Sequence, residues 1–148
     1  DRYPLHLVSH QPATRLHSQL DHSGYSQRHK VAGREMVRLH PDVAAARGIS
    51  DGDTVRLFND RGACAAGARL DPDLTPDIVA LPTGAWYDPI VPGVPGTLEL
   101  AGNPNVLTRD VGTSSLAQGP SAHTCLVEIE RCDDVPPRPR VYDPPPFA

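Results

Sequence analysis

Apolar residues fall in short bursts along this chain, and most bursts have the length of a strand rather than a helix. Leu5–Val8 is the first, with Pro12 beyond it as a break. Met36–Leu39 is the second. Thr54–Phe58 alternates as TVRLF, which sets Val55 and Leu57 on one face of a strand. Asn59, Asp60, Arg61 and Gly62 have the chemistry of a hairpin turn, so Ala63–Leu70 is predicted to return beside that strand. Its small side chains leave room for another backbone to come close. Residues 78–81 and 124–129 supply two further strands. Helical signals are few: Pro41 opens a helix over residues 42–47, and Gly48 stops it. Residues 22–35 are polar and contain glycine, and they read as a mobile loop. Several short strands, one hairpin, two or three short helices and no βαβ repeat predict a mainly β fold with short helices, a mixed β-barrel.

Four stretches lie outside that pattern. Residues 9–21, SHQPATRLHSQLD, gather Arg15, His17, Ser18 and Gln19 with only Leu16 and Leu20 as apolar anchors. Residues 82–95 form a long loop around the only tryptophan, Trp86, which is followed by Tyr87. Long ordered loops in small domains are often functional, and these rings suit either a planar ligand or plain packing. Residues 102–119, GNPNVLTRDVGTSSLAQG, hold almost nothing for a core. Asn103-Pro104 reads as an N-cap with proline at the first helical position, and Thr113 or Ser114 can cap a second short turn. Two helix starts would offer two sets of free backbone amides to an electron-rich ligand. From residue 133 the chain is proline-rich and reads as an extended tail, so the domain is expected to span residues 1–132 and the tail residues 133–148.

Composition narrows the function more than the fold. A chain of 148 residues suits one compact domain, and its opening residues read as a cut within a longer protein. The net charge of −4 is uneven: residues 1–40 hold six Lys/Arg against three Asp/Glu, with six of the seven histidines. That basic bias is compatible with a phosphate-bearing ligand and too weak for a nucleic-acid footprint. No apolar run reaches membrane-spanning length. Cys64, Cys125 and Cys132 are odd in number and form no CxxC pair, which argues against a disulfide framework or a zinc site. His6 and His10 are four apart, a ligand spacing only on a helix, and here they flank a strand end. Arg61, in a turn, reads as a solvated charge. The chain has no GxSxG, HExxH, GxxxxGK[ST] or GxGxxG motif and no evident acid–base pair. No catalytic residue or metal ligand is assigned, and a binding domain is expected over a self-contained enzyme.

The order of the motifs is more specific than any one of them. SHQPATRLHSQLD, then VRLHPDVAAARGISDGDTVRLFNDRGACAAGA, then LPTGAWYDP, then GNPNVLTRDVGTSSLAQG resembles the C-terminal domain of the dimethyl sulfoxide reductase family of molybdopterin oxidoreductases, on the trimethylamine-N-oxide and biotin sulfoxide reductase branch. The resemblance covers about residues 5–130. It implies a double-psi β-barrel that closes over bis-molybdopterin guanine dinucleotide, with molybdenum held by the full-length enzyme and its ligand supplied from another domain. It also implies that the partners are the other domains of the same oxidoreductase. Family cofactor contacts map onto Ser9, His10, Gln11, Arg15, His17, Ser18 and Gln19, and onto Asn105, Asp110 and Gln118. Relatives often have His-Pro where this chain has Gln11-Pro12. Asp110 is a candidate for the N–H edge of a guanine or pterin, and Ser18 for the pyrophosphate. The alternative is a stand-alone double-psi barrel that serves as a binding or interaction module without molybdenum. Substrate and compartment are not legible.

Overall fold

In the computed structural model, which describes residues 2–145, the strands close into one barrel. They are β1 (Leu5–Val8), β2 (Met36–Leu39), β3 (Thr54–Phe58), β4 (Ala63–Leu70), β5 (Ile78–Ala80) and β6 (Cys125–Arg131). The order round the barrel is β1-β5-β2-β4-β3-β6. Two of the six pairings, β1 with β5 and β2 with β4, are parallel and the rest antiparallel. The fold is thus mainly β, a double-psi barrel with short helices. Closure leaves no open sheet edge, so short strands suffice.

The barrel interior is filled by Leu5, Leu7, Val37, Leu39, Val55, Leu57, Val79, Val127 and Ile129 from the strands, with Leu107 entering from the last polar stretch. The helix α2 (Pro41–Ala45) adds Val43 and Ala44. It is shorter than the sequence suggests; His40 caps it by accepting from the amide of Asp42. β4 is buried on both faces from Ala63 to Ala68. Other backbone does come close there: a Cβ on Gly67 would lie 2.4 Å from the Val31 carbonyl oxygen.

Two expectations fail. Residues 22–35 are not a loose loop: they contain α1 (Gly24–Gln27), capped by Ser23, and several of the most buried charges in the molecule. Residues 102–119 do not form two short helices. Asn103 does cap Pro104–Val106, but this is a single 3-10 turn. At the second position the Ser114 hydroxyl accepts from the Ala117 amide in a side-chain turn, and no helix follows. The competing hydrogen bond satisfies locally what a helix would otherwise satisfy.

Candidate cofactor-binding loops

The polar loop after β1 is built around buried charge. Asp21 is fully buried and Glu35 nearly so. Between them sit Arg15 and Lys30, whose side chains are each 1% exposed. Arg15 pairs with Asp21 at 3.2 Å and with Glu35 at 2.7 Å; Lys30 pairs with the same carboxylates at 2.9 and 3.2 Å. Two cations and two carboxylates cancel, which is what makes such burial tolerable. Burial pushes the Asp21 carboxyl up, but Lys30, the Tyr142 hydroxyl and Arg15 outweigh it and hold the group below its ordinary value. Arg15 also donates to the carbonyls of His17 (3.0 Å) and Thr83 (3.1 Å). Its guanidinium is therefore committed inward and braces the loop from behind.

Bracing is needed because the loop is strained. His17 and Leu20 adopt left-handed backbone, at φ 51° and 59°, a conformation costly for residues with a Cβ. Trp86 Nε1 donates to the Ser18 carbonyl at 2.8 Å, and the Trp86 amide donates to Asp21. The Trp86 ring lies against His22, centroids 5.1 Å apart. The tryptophan is thus an anchor for the loop. In front of these anchors His17, Ser18 and Gln19 are exposed. Gln11 Nε2 donates to His17 Nδ1 at 2.8 Å, so this glutamine and histidine orient one another. Ser9 is half-buried at the strand end. His10 Nδ1 meets the Gln11 carbonyl, whereas its Nε2 is buried without a partner among the described residues. His10 and Gln11 line a cleft of about 360 Å³ with Pro12, Thr14, Met36 and Pro82.

The second loop hangs from Glu99, a carboxylate that reading by motif does not single out. It is fully buried and accepts from the amides of Asp88, Ala101, Gly102 and Asn103, at 2.7–3.2 Å. Burial pushes its carboxyl up to about 6, against the pull of those amides. Asn103, so placed, caps the 3-10 turn and donates to the Ala85 carbonyl at 2.8 Å. Further along, Asn59 and Arg61 both donate to the Leu107 carbonyl, at 3.0 and 2.6 Å. Arg61 is therefore not a merely solvated charge but a fastener of this loop. Asn105 and Asp110 are exposed beyond these anchors. Gln118 donates to the Ser114 carbonyl at 2.8 Å, and with Asp110 and Gly112 it lines a hollow of about 370 Å³.

The ten residues singled out by sequence thus stand on two loops and do not share one cavity. Residues 84–86 tie the loops together: Ala85 holds Asn103, Trp86 holds Ser18, and Gly84 lies against the His17 carbonyl. Among the described residues, no three His, Cys, Asp or Glu side chains gather as metal ligands, and no helix is long and apolar enough to cross a membrane.

A closed barrel whose two polar loops are pinned from behind, with amide, hydroxyl and imidazole groups in front, has the architecture of a small-molecule-binding domain. The comparisons give that class a family. Residues 5–126 match the model of the Molydopterin dinucleotide binding domain, and the chain belongs to this family. It is 53% identical over 94% of its length to biotin sulfoxide reductase of Cereibacter sphaeroides. It is 54% identical over 88% of its length to trimethylamine-N-oxide reductase 1 of Escherichia coli K12. The chain spans 18% and 15% of those two proteins, so it is equivalent to one domain of each. Acetylene hydratase from Pelobacter acetylenicus shares the fold over 88% of this chain and 18% of its own, with a TM-score of 0.68 at 18% identity. The family makes the molybdopterin dinucleotide this barrel's cofactor, rather than leaving the chain an interaction module without one.

The residues present fit such a group. His10 lines a cleft and its buried Nε2 has no partner among the described residues, and the exposed Ser18, Gln19, Asn105 and Asp110 combine donors and acceptors for a phosphate and a base.

Proposed function

We propose that this chain is the cofactor-binding domain of a larger molybdenum oxidoreductase that reduces S- or N-oxides. On this reading it holds bis-molybdopterin guanine dinucleotide between the loops at residues 9–19 and 103–118. The observation that carries the proposal is the inward commitment of Arg15, Asp21 and Glu99, which fixes two loops and turns their remaining polar groups outward. The likeness to a biotin sulfoxide reductase and a trimethylamine-N-oxide reductase, at 53% and 54% identity, supports the choice of reaction.

Each named residue has a task on this reading. Ser18 and the neighbouring amides take the pyrophosphate. Gln11 and His17 act as a pair, the Gln11 side chain holding the imidazole ring in place through its amide nitrogen and through the bond that its oxygen accepts from the His17 amide. Ser9, His10 and Gln19 complete the first loop; Asn105, Asp110 and Gln118 face a purine or pterin edge, with Asp110 accepting from adjacent N–H groups. Arg15 acts through the His17 carbonyl rather than by touching the ligand. The bound molybdenum cofactor supplies two-electron oxygen-atom transfer, and the barrel supplies binding and orientation. The other domains of the same enzyme are the expected partners, and residues 1–132 carry every proposed ligand contact.

Composition analysis of the full-length protein tests this. Purified without air, it is expected to contain molybdenum and to release guanosine monophosphate on acid hydrolysis. A folded protein with neither would contradict the proposal.

A further inference from the structure

The proline-rich segment after β6 is described to residue 145, the last three residues of the expected tail lying outside the described residues, and it packs against the polar loops. Its hydrogen bonds lead to both polar loops. Arg34, 2% exposed, donates to the carbonyls of Pro136 and Pro137, at 2.7 and 2.6 Å. The amides of Arg140 and Val141 donate to the buried Asp88 carboxylate, the latter at 3.1 Å. The Asp88 amide in turn donates to Glu99, which shapes the second loop. Next in the chain after Val141, the Tyr142 hydroxyl donates to Asp21 Oδ2 at 2.8 Å, and Asp21 holds Arg15 behind the first loop. The Tyr142 ring lies 6.1 Å from the Trp86 ring, and Lys30 Nζ stands 5.1 Å from its centroid. Burial and the nearby carboxylates push the phenol well above its ordinary value, so it remains a donor.

From this geometry we infer that residues 136–142 are a strap that positions both loops, with Tyr142 the positioning residue for the first. Its hydroxyl fixes Asp21, Asp21 fixes Arg15, and Arg15 holds His17 in its left-handed backbone. The inference rests on the binding role proposed above only for its consequence, not for its test.

Amide hydrogen exchange on the chain compares wild type with Tyr142→Phe, which keeps the ring and removes the donor. A hydrogen bond to a buried carboxylate is strong enough that exchange over residues 16–22 is expected to rise about tenfold, with β2, β3 and β4 unchanged. A role confined to ring packing would be rescued by phenylalanine, leaving residues 16–22 at wild-type rates; that result overturns the inference. So does acceleration spread equally over the barrel strands. Binding of GDP, read in parallel through Trp86 fluorescence, is expected to weaken severalfold in the variant. Wild-type chain that fails to bind GDP would count against the cofactor reading, while the exchange data decide the strap independently.

Discussion

Glu99 shows how much a single buried residue can organise. One carboxylate collects four backbone amides and turns the chain from the Pro82 loop into the Asn103 cap. Its carboxyl is raised from 4.5 to about 6 because burial outweighs those amides. Between those values the folded chain binds more protons than the unfolded one, so this contribution is full below about pH 4.5 and is lost as pH rises through about 6. Urea unfolding of wild type and Glu99→Gln measures it. The stability of wild type relative to the variant is expected to fall by about 2 kcal/mol across that window; a difference flat with pH would refute the assignment. Nothing local in the sequence marks Glu99, because its role depends on four amides brought to it by the fold. Arg15 was legible as a residue that matters, since it sits in a specific motif. Its inward direction was not, because of its partners Asp21 closes the same polar motif and Glu35 lies in a stretch that composition alone reads as loose.

At the scale of elements, strands were the most legible part. Hydrophobic bursts bounded by turn residues place β1 to β4 at the residues where they occur, since alternation and turn chemistry are local properties. The loops were legible in composition only. Residues 102–119 look like two helix starts, yet the first is a single 3-10 turn and the second a serine turn. Residues 22–35 look mobile, yet buried ion pairs hold them. Trp86 and Gly84 show why: Trp86 acts on Ser18, 68 positions away in the chain, and Gly84 lies against the neighbouring His17. Gly84 has φ 89°, and a Cβ there would fall 2.1 Å from the His17 carbonyl oxygen. Gly84→Ala is therefore expected to cost about 1–3 kcal/mol in urea unfolding and to raise exchange at His17 and Ser18. Unchanged stability would show that the two loops do not depend on this contact.

For the whole molecule, the barrel and the loops divide the work. Strand closure buries the apolar residues and gives a rigid frame. The polar segments that cross it carry their own buried charges, and each is fastened to the next: Asp21 to Trp86, Ala85 to Asn103, Asp88 to Glu99. Within a chain that spans 15–18% of these relatives, the two polar loops are thus fastened to each other by the chain's own residues. The family was legible from the order of four motifs, which together are more specific than any one of them. The reaction was not legible from this chain's own chemistry, since no residue here is assigned a catalytic role.

The central claim is that the two loops at residues 9–19 and 103–118 form one nucleotide-binding surface. Titration of the isotopically labelled chain with GDP, followed by amide and side-chain NMR shifts, tests it most directly. If the loops share that surface, saturable shifts are expected at Gln11, His17, Ser18, Gln19, Asn105, Asp110 and Gln118, with the barrel strands still. Saturable shifts confined to other surfaces, or none at millimolar GDP from a folded chain, would contradict it.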